Sequence, residues 1–492
     1  MKTAALLLPL FLLAVTANLS AAAFLDVRAL GAKGDGSAKD TAAVQRTIDA
    51  AAQQGGGVVV FPAGTYLCGT IHLKSHVTLY LSPGATIAES PDNADFDPPE
   101  KLDYDSHADT ETTYFHYALL AGEDVESITI EGAGTIDGNR TRRHGPKPIA
   151  LKRCRHVTIR GVTVKNSPNY AVSFLGCDYV VVDGVTVLNS YADGIDPDSS
   201  RYVRISNCFV DSSDDAICPK TSLALGHPRS TEHLVVTNCN LSTSSNNFKL
   251  GTESSGDFKD IAFSNCVMFR RERNAARDLA GIALESVDGS HIEGVVISNV
   301  SMQGIFCPIF IRLGNRGRGL NPPKPGSIEN VTISSVVAAG SQMTSSITGL
   351  AGAPVRHLVL DNIQLAVQGG GQPGKGLDVP EAEAKYPESK MFGELPSYGL
   401  YVRHVEGLTL RNVQTRWLSS DPRPAMIFDD VKDLDIGGFA TDTVAGSEPL
   451  LWFHKVVGAF LHGSRAPVSM PRFLRLTETA KDQVRLADND TR

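Results

Sequence analysis

VTIRGVTV (157–164), VVVDGVTV (180–187), VRISNCFV (203–210), LVVTNCNL (234–241) and IAFSNCVM (261–268) are five copies of one pattern. Apolar and polar residues alternate on either side of a central Gly or Asn, and a period of two marks a strand with one face buried. Gly and Asn accept the left-handed backbone needed to turn a corner between two such strands. The pattern continues as VVISNVSM (295–302), VTISSVVA (331–338), LVLDNIQL (358–365) and LTLRNVQT (408–415), with a looser copy, ITIEGAGTI, from Ile128. The joint residues are Gly161, Gly184, Asn207, Asn238, Asn265, Asn299, Ser335, Asn362 and Asn412, mostly 23 to 36 residues apart. Short strands at this interval, with no amphipathic helix between them, call for an all-β stacked solenoid. A propeller would need blades of about 40–45 residues with Trp-Asp marks, and this chain holds two Trp.

Outward from the repeat, the N-terminal side supplies a cap. Asp40 and Thr41 lead into Ala42–Gln54, where Val44, Ile48 and Ala51 follow helical spacing, and Gly55–Gly57 ends the helix. A strand, Val58–Phe61, and a turn, Pro62-Ala63-Gly64, come next. Before the cap, Lys2, an apolar run from Ala4 to Val15 and the small residues Ala21–Ala23 read as a secretory signal peptide over residues 1–23. The run falls short of the roughly 20 residues a membrane span needs. One domain is expected over 24–465, with a long surface loop at about 367–396 and a C-terminal tail at 466–492. The product is expected outside the cytoplasm, as a monomer.

A net charge of −8 with 20% charged residues gives no basic footprint for nucleic acid. Of the eight cysteines, Cys208, Cys239 and Cys266 each follow a joint asparagine, where a buried thiol serves as a small apolar filler. Mostly free thiols are therefore expected, with at most one or two bridges. No CxxC or HExxH spacing is present, so no metal and no cofactor are expected.

Acids concentrate in two places, Asp193-Gly194-Ile195-Asp196-Pro197-Asp198 and Asp211-Ser212-Ser213-Asp214-Asp215. Asp193 precedes Asp214 and Asp215 by about one rung, which places all three on adjacent stacked strands, ~4.8 Å apart at the backbone. Crowded carboxylates raise one another's pKa. That costs stability, but glycoside hydrolysis needs one protonated and one ionised carboxyl. Turn-forming aspartates or a calcium site are the blander readings of the same residues.

These residues carry a family resemblance. Gly31-Ala32-Lys33-Gly34-Asp35-Gly36, Gly55-Gly56-Gly57 and Phe61-Pro62-Ala63-Gly64-Thr65-Tyr66 resemble the entry to pectin-lyase-type right-handed parallel β-helices. Tyr191-Ala192-Asp193-Gly194-Ile195-Asp196 and Asp214-Asp215-Ala216-Ile217 resemble the two aspartate signatures of glycoside hydrolase family 28, the polygalacturonases and rhamnogalacturonases, in an atypical bacterial branch. The resemblance implies an inverting hydrolase of pectic polysaccharide or oligosaccharide, with Asp214 as general acid and Asp193 and Asp215 holding the water. The chain departs from the family at its Gly-His-Gly motif, replaced by the stretch Ser245–Gly251, and at its Arg-Ile-Lys motif, replaced by Ala283-Leu284-Glu285. Lys220, Lys249, Glu285, Arg312 and Arg316 are the candidate substrate-binding residues. A polysaccharide lyase and a non-catalytic carbohydrate-binding solenoid are the alternatives on this fold.

Overall fold

The computed structural model describes residues 24–270, 279–374, 376–444, 446–466 and 472–490, so the leader expected at 1–23 lies outside the described residues. The chain winds into a right-handed parallel β-helix of three-stranded rungs. One full turn runs through Ile195–Asp198, Arg201–Ser206 and Phe209–Ser212, and each strand pairs in parallel with its equivalent in the neighbouring rungs.

Every joint residue read from the repeat sits at the corner between the second and third strands with positive φ, from 49° at Asn412 to 71° at Gly161. The asparagines also bond to one another up the stack, Asn299 Nδ2 donating to Asn265 Oδ1 at 3.1 Å and Asn412 Nδ2 to Asn362 Oδ1 at 2.7 Å. Asn265→Ala forces a Cβ residue without a compensating amide into φ 56°, at a cost of about 1–2 kcal/mol. Asn265→Gly should cost less, and the two thermal-unfolding midpoints check the order.

Inside each corner, Cys208, Cys239 and Cys266 stack in one buried column that continues through Val300, Val336, Ile363 and Val413. All eight cysteines are buried free thiols. The helix Thr41–Gln53 lies over the first rungs and buries Val44, Ile48 and Ala51. No described helix is long and apolar enough to cross a membrane.

One boundary differs from expectation. Leu474–Thr477 pairs with Leu451–His454, and Val484–Ala487 with Ala459–His462, so the expected tail contains a further rung. Its strands were not read because no Gly or Asn joint stands between them and their outward positions carry Arg475 and Arg485. The expected surface loop, an irregular stretch between the strands Val355–Gly369 and Leu400–Ser419, folds back over the first-strand sheet. Phe392 and Leu395 are buried there against Ala283, Phe310 and Tyr401.

Candidate active site

The acids occupy the corner where the third strand of one rung passes to the first strand of the next. Asp193 lies between the strands Thr186–Ser190 and Ile195–Asp198, and Asp214 and Asp215 take the same corner one rung on. Gly194 N–H donates to the Asp215 carbonyl at 2.9 Å and Ile195 pairs with Ile217, which holds the corners in register. Carboxylate oxygens of Asp193 and Asp215 consequently lie within 4.8 Å of each other. All three aspartates line one cleft of about 390 Å³, with Arg143, Tyr170, Asn246, Tyr386 and Lys390 among its other walls.

Each acid has its own surroundings. Asp193 is buried, and Lys220 Nζ sits 2.7 Å from its Oδ2 and 2.7 Å from Asp196 Oδ2. Burial and then the charge of Asp196 push the Asp193 carboxyl well above the usual range, against the pull of Lys220. Burial would raise Asp215 too. There the Lys249 ammonium at 2.9 Å, Ser245 Oγ at 2.7 Å and two Asn246 donors at 2.8 and 3.0 Å outweigh it and hold the carboxyl below the usual range. A carboxylate kept ionised thus faces a carboxyl biased to keep its proton. Asp214 is more open, its side chain 25% exposed, and its Oδ2 accepts from Arg143, whose remaining nitrogens bind Glu111.

Of the candidate substrate-binding residues, Lys220 and Lys249 line the cleft. Arg312, Arg316 and Glu285 do not, and each has a physical reason. Arg312 is 1% exposed and donates to Thr348 Oγ1 at 3.3 Å and to the Gly349 and Glu381 carbonyls at 3.4 and 2.7 Å, so it pins the overlying loop. Arg316 grips Asp288 with two nitrogens and backs the Tyr386 ring from 5.5 Å. Glu285 is 1% exposed, and neither of its oxygens accepts a hydrogen bond. Burial pushes its carboxyl up to about 8, with Lys249 Nζ 3.9 Å away.

Sequence reasoning missed Arg143, Asn246 and Tyr386 among the cleft residues, and Asp196, which holds Lys220 beside the cleft. Asp196 and Asn246 stand inside the stretches already singled out: alternation along the strand Ile195–Asp198 could have found the first, and the rung interval, which sets Asn246 one turn after Asp215, the second. Tyr386 and Arg143 come from excursions far along the chain, and no local signal marks them.

The family model described as glycosyl hydrolases family 28 matches residues 61–383, and one described as rhamnogalacturonase A/epimerase, pectate lyase-like, matches residues 24–96. A protein of Vitis vinifera described as "Probable polygalacturonase" is 25% identical over 364 residues, covering 68% of this chain and 72% of its own. Among solved structures, a hyperthermoactive exopolygalacturonase from Thermotoga maritima superposes with a TM-score of 0.63 at 19% identity, over 80% of this chain and 91% of that one. A family 28 exopolygalacturonase from Yersinia enterocolitica gives 0.54 at 16% identity, over 96% and 79%. With its aspartate corner in place and about two thirds of its length matched, the chain belongs to family 28 of the glycosyl hydrolases.

Proposed function

We propose that this glycoside hydrolase cleaves galacturonosyl linkages in pectic polysaccharide or oligosaccharide with inversion, and that it does so outside the cytoplasm. The observation that carries this reading is the grouping of Asp193 and Asp215 within 4.8 Å at adjacent corners, with Lys249 and Asn246 donating to Asp215 and the more open Asp214 on the same cleft. Water held between Asp193 and Asp215 passes a proton to the Asp215 carboxylate as its oxygen attacks the anomeric carbon and the bond to the leaving oxygen breaks. Asp214, reaching the leaving oxygen from the solvent side, supplies the other proton. Arg143 covers Asp214 in the free protein. A uronate carboxylate entering the cleft competes for that guanidinium and releases Asp214 for proton donation. Lys220 and Lys249 supply positive charge beneath the acids, and Tyr386 offers a half-exposed ring beside them.

The test is a panel of pectic oligosaccharides with products resolved by chromatography. New reducing ends, without the ultraviolet absorbance of an unsaturated uronate, are expected. Unsaturated products would establish a lyase instead, and binding without any cleavage would establish the non-catalytic solenoid.

A further inference from the structure

Behind Asp215 lies a further acid that the hydrolytic step does not use. Lys249 and Glu285 stand on neighbouring strands, Phe248–Leu250 and Ala280–Ser286. Lys249 pairs with Ala283, and Glu285, two residues further on, shares its face of the sheet. Gly251 lets the two strands approach here, since a Cβ would stand 2.6 Å from the Glu285 carbonyl oxygen and 3.2 Å from the Glu285 Cβ. Asp215, Lys249 and Glu285 thus form a buried row, with the ammonium 2.9 Å from the first carboxyl and 3.9 Å from the second. The Tyr386 ring, 6.0 Å from Lys249 Nζ, covers the row from the overlying excursion.

The two carboxyls are served unequally. Besides Lys249, Asp215 accepts from the Ser245 hydroxyl and from the backbone and side-chain amides of Asn246. Neither Glu285 oxygen accepts anything. Arg312, its partner on the next strand, turns its guanidinium to Thr348 and to the Gly349 and Glu381 carbonyls. Arg316 is held by Asp288 and the Thr252 carbonyl. The other charges acting on Glu285, those of Asp215 and of Glu388 on the excursion, are of its own sign. A buried carboxylate without donors is costly as an ion, so the group keeps its proton where an exposed glutamate has long released it.

We propose that Glu285 is a positioning residue for the reaction: holding its proton, it leaves the whole Lys249 charge to Asp215, and on losing that proton it draws the ammonium off the base. The assignment rests on the hydrolase reading above and deepens it. Once ionised, Glu285 competes with Asp215 for one ammonium, and Lys249 is the largest pull that keeps Asp215 ionised against burial. A second negative charge also comes to stand beneath a cleft that takes a uronate. Activity should therefore fall as pH rises through the Glu285 value.

Two variants test it. Glu285→Gln keeps the shape, Glu285→Met keeps the length, and neither can ionise. Rates are read on a nitrophenyl galacturonide, whose leaving group departs without protonation, so that titration of Asp214 does not mask the effect. Titration of Asp193 is common to all three proteins and drops out of the ratio of variant to wild-type kcat. That ratio should rise about tenfold between about pH 6 and pH 9, the upper limit being about one unit above the Glu285 value. A flat ratio in either folded variant would overturn the assignment. Infrared spectroscopy reads the proton without turnover. The difference between wild type and Glu285→Gln should show a carboxylic-acid carbonyl at about pH 6 that gives way to a carboxylate by about pH 10. A carboxylate already present at the lower pH would overturn the assignment. Absence of cleavage by the wild type would instead defeat the hydrolase reading alone, the infrared bands still deciding for or against a proton-holding Glu285.

Discussion

Asp214→Asn is expected to lose at least ~10²-fold in kcat on a pectic oligosaccharide while keeping its fold, because an amide cannot hand a proton to the leaving oxygen. On a galacturonide whose leaving group is a nitrophenolate, which departs without protonation, the same variant should keep much of its activity. Asp215→Asn should lose ~10³-fold on both substrates, since its part is to activate water rather than to assist departure. It also leaves Lys249 and the Asn246 donors without their charged acceptor. Initial rates on the two substrates, with circular dichroism to confirm folding, separate the roles. Equal losses by Asp214→Asn on both would remove it as the proton donor.

The second large effect is on stability. Lys220 is 3% exposed and bridges Asp193 and Asp196, both buried. Lys220→Met leaves two carboxyls facing each other without a cation, and breaking a buried pair in this way costs about 3–5 kcal/mol. The pH dependence follows from the direction of the Asp193 and Asp196 shifts, both upward through burial. Without Lys220 these groups hold protons that the unfolded chain has already released. Stability therefore falls as pH rises from the ordinary carboxylate value through the raised one. The deficit should be large at pH 7 and shrink toward pH 4. Adding Asp196→Asn should recover part of it. A deficit that does not vary with pH would mean that packing, rather than uncompensated charge, is what Lys220 supplies.

The stack was legible because its corners demand a backbone that few residues accept. Gly161, Gly184 and the asparagines mark in the sequence itself the positive φ that the corners adopt. The aspartate cluster was legible for the same reason, since one rung of sequence is one step through space. Arg312, Arg316 and Glu285 are candidates by charge and motif position that the structure leaves off the cleft, because rung spacing fixes which face a side chain takes but not what lies on top of it. Glu285 does pair with Arg312 across adjacent strands, as the spacing implies. The excursion that buries this face returns from about 70 residues further on, where Glu381 meets Arg312. Contacts of that range carry no periodic signal. Arg143 on Asp214, 71 residues apart, escaped for the same reason.

The same excursion separates two kinds of inheritance in this molecule. Between Asn362 and Asn412 the chain leaves the stack and rejoins it with the ladder intact, Asn412 still bonding to Asn362 at 2.7 Å. Nothing in the ladder measures how long the detour is, and doubling a loop's length adds only ~0.6 kcal/mol of closure entropy. The aspartates, by contrast, are fixed to the stack, where slipping a strand by one residue would turn its buried face outward. Lineages of such a protein are free to lengthen, shorten or rewrite the detour, and with it the substrates admitted, while the reacting groups stay where the ladder puts them.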